Sequence, residues 1–219
     1  MTNVAVDGTA EHRLHLLGLT ADQISRALLR ADAEARHTTG LEPPTAEGTI
    51  RYLKTVRFLR EELVPLGWDV ENYKNFCRTI HPSHEFSIVT SSGDEVTGVQ
   101  IPGRVPCTKY PKGDLTALAV QQNAEQGVLD LGEEFAETKL DPAELENIWF
   151  LLQRVTPDFI YAELSLPTRI EDGMITDWEE RVILPRISRE DPEPPASSTT
   201  VEELPASEDD AYTVDVAMR

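Results

Sequence analysis

The chain is poor in cysteine, in positive charge and in long apolar runs. Two cysteines in 219 residues, Cys77 and Cys107, do not make a disulfide framework, and reduced thiols are expected. Twenty Lys and Arg against 39 Asp and Glu leave a net charge of -19. That balance favours solubility and works against general binding to nucleic acid or anionic membranes. No stretch approaches the roughly 18 apolar residues of a membrane span. The opening MTNVAVDGTAEHR has neither a basic start nor an apolar core, so it does not read as a signal peptide. A cytoplasmic protein without membrane contact is expected. The phosphate loop G-x-x-x-x-G-K-[ST], the nucleophile elbow G-x-S-x-G and the zinc motif H-E-x-x-H are all missing.

What is present is enough for a core: 40% of the residues are apolar, in a length that suits one domain with extra segments. The charge is uneven. Residues 49–112 carry 9 Lys and Arg against 7 Asp and Glu, net +2, whereas 113–188 carry 5 against 16, net -11. From Arg189 onward there are 2 against 9, net -7. Two outcomes stay open, a polarised surface or segments that interleave on folding and cancel.

Helical signals dominate the first third. Thr20 followed by Gln23 is a capping box, and Ile24, Ala27, Leu28, Ala31 and Ala35 recur on one face. A second helix runs from about Thr45 to Pro65. Its core face is read as Tyr52, Leu53, Val56, Leu59, Leu63 and Val64, with Arg51, Lys54, Arg57 and Phe58 on the other side. DVENYKNFCRTI is read as a short helix. A hairpin follows, with Phe86, Ile88 and Val89 in one strand, a turn at Ser92-Gly93-Asp94, and Val96 to Ile101 returning. Asp114 starts a further helix that ends before Gly127. A helical turn after Asp141 passes into a strand near Ile148, and two more strands complete a meander with turns at Thr156-Pro157-Asp158 and Glu171-Asp172-Gly173. Ile160, Ala162, Leu164 and Leu166 alternate with polar or aromatic neighbours, as in a sheet with one face on a core.

The expected fold is therefore α+β: an antiparallel sheet of about five strands, hairpin plus three-strand meander, covered by N-terminal helices. Residues 1–18 read as a flexible N-terminus, 19–188 as a single α+β domain, and 189–219 as a disordered acidic tail rich in Pro and Ser. The last stretch, AYTVDVAMR, alternates and could add a strand to a partner's sheet edge.

Three clusters could carry chemistry. TKYPKGD precedes a helix, and Arg104, Lys109 and Lys112 add charge where no acid intervenes between Val96 and Gly113. Backbone N–H groups at a helix start attract anions, although an N-cap carboxylate at Asp114 would compete. Arg51, Lys54 and Arg57 around Phe58 make a basic stripe with an aromatic, the combination that binds nucleic acid by charge and stacking. Packing of Phe58 beneath arginine stems is the alternative. Asp94 and Glu95 supply hard oxygen ligands for Mg²⁺, with Lys109 or Lys112 beside a phosphoryl transition state. Cys77, His81, His84 and Cys107 offer four zinc-type ligands at a spacing that no standard site uses.

The stretches SSGDEVTG, TKYPKGD, YAELSLP and WEERVILP, between Glu85 and Pro185, resemble uncharacterised proteins of bacterial phages, plasmids and other mobile elements. The resemblance implies such an origin and no activity. A non-enzymatic binding or adaptor protein with a protein partner is the leading reading, with a basic surface for phosphate or nucleic acid and no cofactor. A metal-dependent phosphoryl-transfer enzyme such as a nuclease is one alternative, and only it would need Mg²⁺. The other is an acidic nucleic-acid mimic, built from Glu133, Glu134, Glu137, Glu144, Glu146, Glu171, Asp172, Glu179 and Glu180.

Overall fold

The computed structural model describes residues 2–74, 76–126 and 147–189. Four helices and eight strands order themselves along it: β1 (Asn3–Ala5), α1 (Asp7–Leu16), α2 (Ala21–Ala35), α3 (Ala46–Leu63), β2 (Asp69–Tyr73), β3 (Phe76–Ile80), β4 (Phe86–Ser92), α4 (Asp114–Gln126), β5 (Asn147–Val155), β6 (Phe159–Glu171), β7 (Met174–Ile183) and β8 (Ile187–Ser188). The fold is α+β, and its sheet has the order β1-β7-β6-β5-β4-β3-β2, with β8 paired to the start of β6.

The sheet is mixed, which corrects the antiparallel expectation. β5, β6 and β7 do form the antiparallel meander, and β2, β3 and β4 form another. β4 and β5 join them in parallel over seven residue pairs, Phe86↔Asn147 through Ser92↔Gln153. A parallel pair needs a crossover connection, and the chain that supplies it includes α4. At the far edge β1 pairs in parallel with β7.

Alternation along the central strands divides the core in two. Ile88, Trp149, Leu151, Ala162, Leu164 and Val182 pack on one face against α1, α2 and α3. Val89, Ile148, Phe150, Leu152, Ile175 and Trp178 pack on the other against Ala119 and Val120 of α4. Asn123 fixes that helix: its amide donates to the carbonyls of Ile148 (3.0 Å) and Pro167 (3.2 Å) and accepts from the Ile148 N–H (2.9 Å).

Several local expectations meet the structure. The Thr20–Gln23 capping box forms in both directions, at 3.2 and 2.9 Å, and the stripe from Ile24 to Ala35 is buried. Others are corrected. The N-terminus is not loose: Ala5, Ala10 and Leu14 of β1 and α1 are buried in the first core. DVENYKNFCRTI is not a helix but the β2–β3 hairpin, turned with Lys74 at φ 52. Val96 to Ile101 is not a return strand. Asp94 Oδ1 accepts from the Val96 N–H at 3.0 Å, and the Thr97 N–H bonds back to the Asp94 carbonyl at 3.2 Å, so the chain curls on itself. In α3 the buried residues are Thr55, Phe58, Leu59 and Leu63, whereas Leu53 and Val64 stay exposed. The assignments at 127–146 and 190–219, including AYTVDVAMR, fall outside the described residues. Among the described residues no helix is long and apolar enough to cross a membrane.

Candidate functional site

The loop from Gly93 to Gly113 lies against β4, β6 and β7, on the side of the second core. Thr108 anchors it. This residue is fully buried, its N–H donates to the Ile175 carbonyl (3.3 Å), and its hydroxyl accepts from the Ile175 N–H (3.2 Å). The Trp178 indole donates to the Pro106 carbonyl at 2.8 Å. The Lys109 N–H donates to the Ser92 carbonyl, and the Lys112 N–H to the Gly173 carbonyl. The backbone that carries the predicted lysines is thus tied to two strand ends.

The side chains of that loop have separate fates. Arg104 pairs with Glu95. A backbone hydrogen bond and then Arg104 hold the Glu95 carboxyl below its ordinary range. Lys112 is half-buried, and desolvation pushes its pKa down. Lys109 is exposed beside exposed Tyr110, its ammonium 5.6 Å from the ring centroid. Asp94, a candidate metal ligand, is occupied: Oδ1 accepts from Val96 and Thr97, and Oδ2 from the Cys107 N–H at 3.1 Å. These bonds make it the organiser of the loop.

The second basic group is elsewhere. Arg51, Lys54 and Arg57 belong to α3, which packs on the opposite face of the sheet from Trp178 and Ile175, so they do not converge with residues 104–112. They face carboxylates from α2 and their own helix. Arg51 reaches Asp32 at 3.0 Å and Glu47 at 2.5 Å, Lys54 reaches Glu34 at 2.9 Å, and Arg57 reaches Glu61 at 2.7 Å. Phe58 is 4% exposed, with the Arg30 guanidinium 4.0 Å and the Arg57 guanidinium 5.4 Å from its ring centre. That is the packing alternative, an aromatic beneath arginine stems rather than a stacking platform.

The four zinc-type residues do not assemble. Cys77 contacts Tyr52 of α3, whose hydroxyl is pushed up to about 12 by burial and then by the thiol. His81 stacks on Phe86 at 4.6 Å. His84 is 3.8 Å from Asp69, and Cys107 borders Asp94, with burial first and then the carboxylate raising its pKa. Among the described residues no group of three or more His, Cys, Asp or Glu is placed to hold a metal ion. Of the proposed acidic face, Glu180 is bound by Arg13 at 2.7 Å and Glu171 by Arg169, giving mixed sign there. Glu133, Glu134, Glu137, Glu144 and Glu146 lie outside the described residues.

Sequence reasoning missed a different surface. A groove of about 690 Å³ opens between α3 and β2, lined by Leu53, Val56, Arg57, Arg60, Glu61, Val64, Pro65 and Val70. Leu53 is 56% exposed and Val70 49%. Leu66, in the connection after α3, and Tyr73, at the end of β2, are exposed as well. At about 100° per residue Leu53 and Val56 of α3 and Val64 just past its end share one stripe, roughly opposite Thr55 and Phe58. The signal was present as too many apolar positions for one helix face. β2 also ends the sheet, with no strand beyond it among the described residues.

No family model, curated protein or solved structure matches the chain.

Proposed function

We propose that this is a cytoplasmic, non-enzymatic binding protein whose contact surface is the α3–β2 groove. One observation carries the reading: Leu53, Val56, Val64, Pro65 and Val70 line a groove beside β2, which has no strand on its outer edge among the described residues. A continuous exposed apolar patch of this kind marks an interaction site more often than scattered hydrophobic residues do. An edge strand is a further template for association. The catalytic alternative has less support, because both oxygens of Asp94 already accept hydrogen bonds.

A photo-crosslinking residue at Leu53 tests the reading in cells that express the protein, with one at Leu41, 98% exposed in the α2–α3 connection, as control. One identified partner joined through position 53 and absent at position 41 is the expected result. The same adducts at both positions, or none, would overturn it.

A second reading keeps the loop in play for a phosphate-bearing ligand. It is favoured by the exposed Lys109–Tyr110 pair on a backbone fixed through Thr108 and Lys112. Charge and a ring side by side suit a phosphate and its base. Mobility shifts of short DNA and RNA across a salt series should weaken with salt and vanish in Lys109→Glu; no binding at low salt would remove this reading.

A further inference from the structure

Resting on that binding reading, we infer that the groove receives an extended apolar segment bordered by carboxylates, laid along the outer edge of β2. Two features of the groove identify this occupant.

The first is charge. On the α3 wall, Glu61 is the only carboxylate among the groove-lining residues, and it is shared by Arg57 at 2.7 Å and Arg30 at 2.6 Å. Arg60 donates to neutral groups: the carbonyls of Glu71 (3.0 Å) and Arg78 (2.9 Å) and the Thr79 hydroxyl (3.4 Å). Two guanidiniums, Arg57 and Arg60, therefore line the groove against one carboxylate, and that carboxylate is also held from α2 by Arg30. On the strand side Asp69 faces His84, and Glu71 is held by Arg78. The excess positive charge sits on the helix wall, and a segment with carboxylates beside its apolar part complements it.

The second is shape. The groove floor runs from a helix to an edge strand whose Val70 and Tyr73 stay exposed. An extended peptide can take main-chain hydrogen bonds from such an edge while alternate side chains enter the groove.

Two synthetic peptides with the same alternating valine–threonine core test this on the full chain, one flanked by glutamates and one by lysines. A third carries the glutamate flanks and N-methylated core amides. The glutamate peptide should bind about tenfold tighter than the lysine peptide at low salt, with the gap closing as salt rises. Arg57→Glu should reverse the preference, Leu53→Asp should weaken both peptides, and N-methylation should abolish binding. Both substitutions are at exposed positions, and circular dichroism checks the fold. Equal or better binding of the lysine peptide overturns the charge argument, and unchanged binding of the methylated peptide overturns the strand geometry. If position 53 still crosslinks a partner while the glutamate peptide has no advantage, this inference falls and the binding reading stands. If neither peptide binds and no partner crosslinks, both fall.

Discussion

Glu163 of β6 and Arg181 of β7 form a buried ion pair, 2.6 Å apart between Oε2 and Nη2, with side chains 0% and 2% exposed. The same carboxylate accepts from the Gly98 N–H at 2.9 Å and from the Ser165 hydroxyl at 2.8 Å, and Arg181 donates to the Val99 carbonyl at 3.1 Å. Two strands and the turn that follows β4 are thereby joined through one pair of charges. Desolvating such a pair is expensive, and it holds only because its remaining donors and acceptors are used.

Removing both partners should therefore cost less than the sum of removing each alone. Glu163→Ala or Arg181→Ala alone should cost about 3–5 kcal/mol, because the survivor is a buried unpaired charge. The double variant should fall short of the summed losses by more than about 1 kcal/mol. Urea unfolding of the four proteins checks this, and additive losses would contradict it.

A second hub closes the chain. Asp32 of α2 is fully buried and takes Arg189 in a forked pair at 2.8 and 3.1 Å, Arg51 at 3.0 Å and Arg36 at 3.3 Å. Arg189 also donates to the carbonyls of Thr156 (2.6 Å) and Pro157 (3.1 Å). The residue assigned on sequence to the tail thus holds α2 to the β5–β6 turn. Arg189→Ala should cost roughly 2–3 kcal/mol, as expected for loss of charged hydrogen bonds. Arg186→Ala, which loses only a ring contact with Phe159, should cost about 0.5–1 kcal/mol. Thermal or urea melts that rank the two the other way would refute the latch.

Local signals were legible where they needed no distant partner. Thr20 and Gln23 cap each other three residues apart, and Ile160, Ala162, Leu164 and Leu166 are buried in the first core as expected, but Glu163 and Ser165 between them are buried as well, because the sheet is covered on both faces rather than one. The β2–β3 hairpin was hidden because its turn uses Lys74 in the left-handed region rather than the usual glycine. The parallel pairing of β4 and β5 joins Phe86 to Asn147, and nothing local announces it. The basic stripe of α3 misled for the same reason. Glu47 is within one turn of Arg51, but Asp32 and Glu34, which meet Arg51 and Lys54, lie 19 and 20 residues away in sequence, and only the packing of α2 on α3 brings them there. Phe58 and Leu53 exchanged places because α3 carries two apolar stripes, and periodicity does not say which one meets the sheet.

Two glycines offer a matched comparison. Gly98 and Gly103 have φ of 72° and 73°, so either costs about 1–2 kcal/mol to replace on backbone grounds alone. A Cβ at Gly98 would also come within 2.8 Å of the Ala162 nitrogen and of Tyr161 Cβ, whereas at Gly103 it meets nothing within 4 Å. Gly98→Ala should therefore destabilise by at least about 1 kcal/mol more than Gly103→Ala, as an overpacked site does. Equal losses would mean that the turn yields rather than clashes.

His81 carries the pH prediction. Its ring stacks on Phe86 at 4.6 Å and meets the edge of Trp68 at 4.9 Å, while its Nδ1 is 2.8 Å from the Ser83 hydroxyl. Desolvation lowers its pKa, and the nearby Glu85 opposes that weakly. The folded pKa thus lies below the unfolded value of about 6.5, so the unfolded chain binds the proton more readily. The contribution of His81 is present above about pH 6.5 and is lost as pH falls through the folded pKa. The lowered carboxylates Glu34, Glu61 and Glu95 start from 4.5, and they lose their contributions below that window. Unfolding curves at pH 7.5 and 5.5 should show wild type losing more stability than His81→Gln, and the His81 ring resonance should titrate below pH 6.5. Equal pH slopes for the two proteins, or a titration midpoint at or above 6.5, would mean that the ring is solvated and that Trp68 and Phe86 do not shield it.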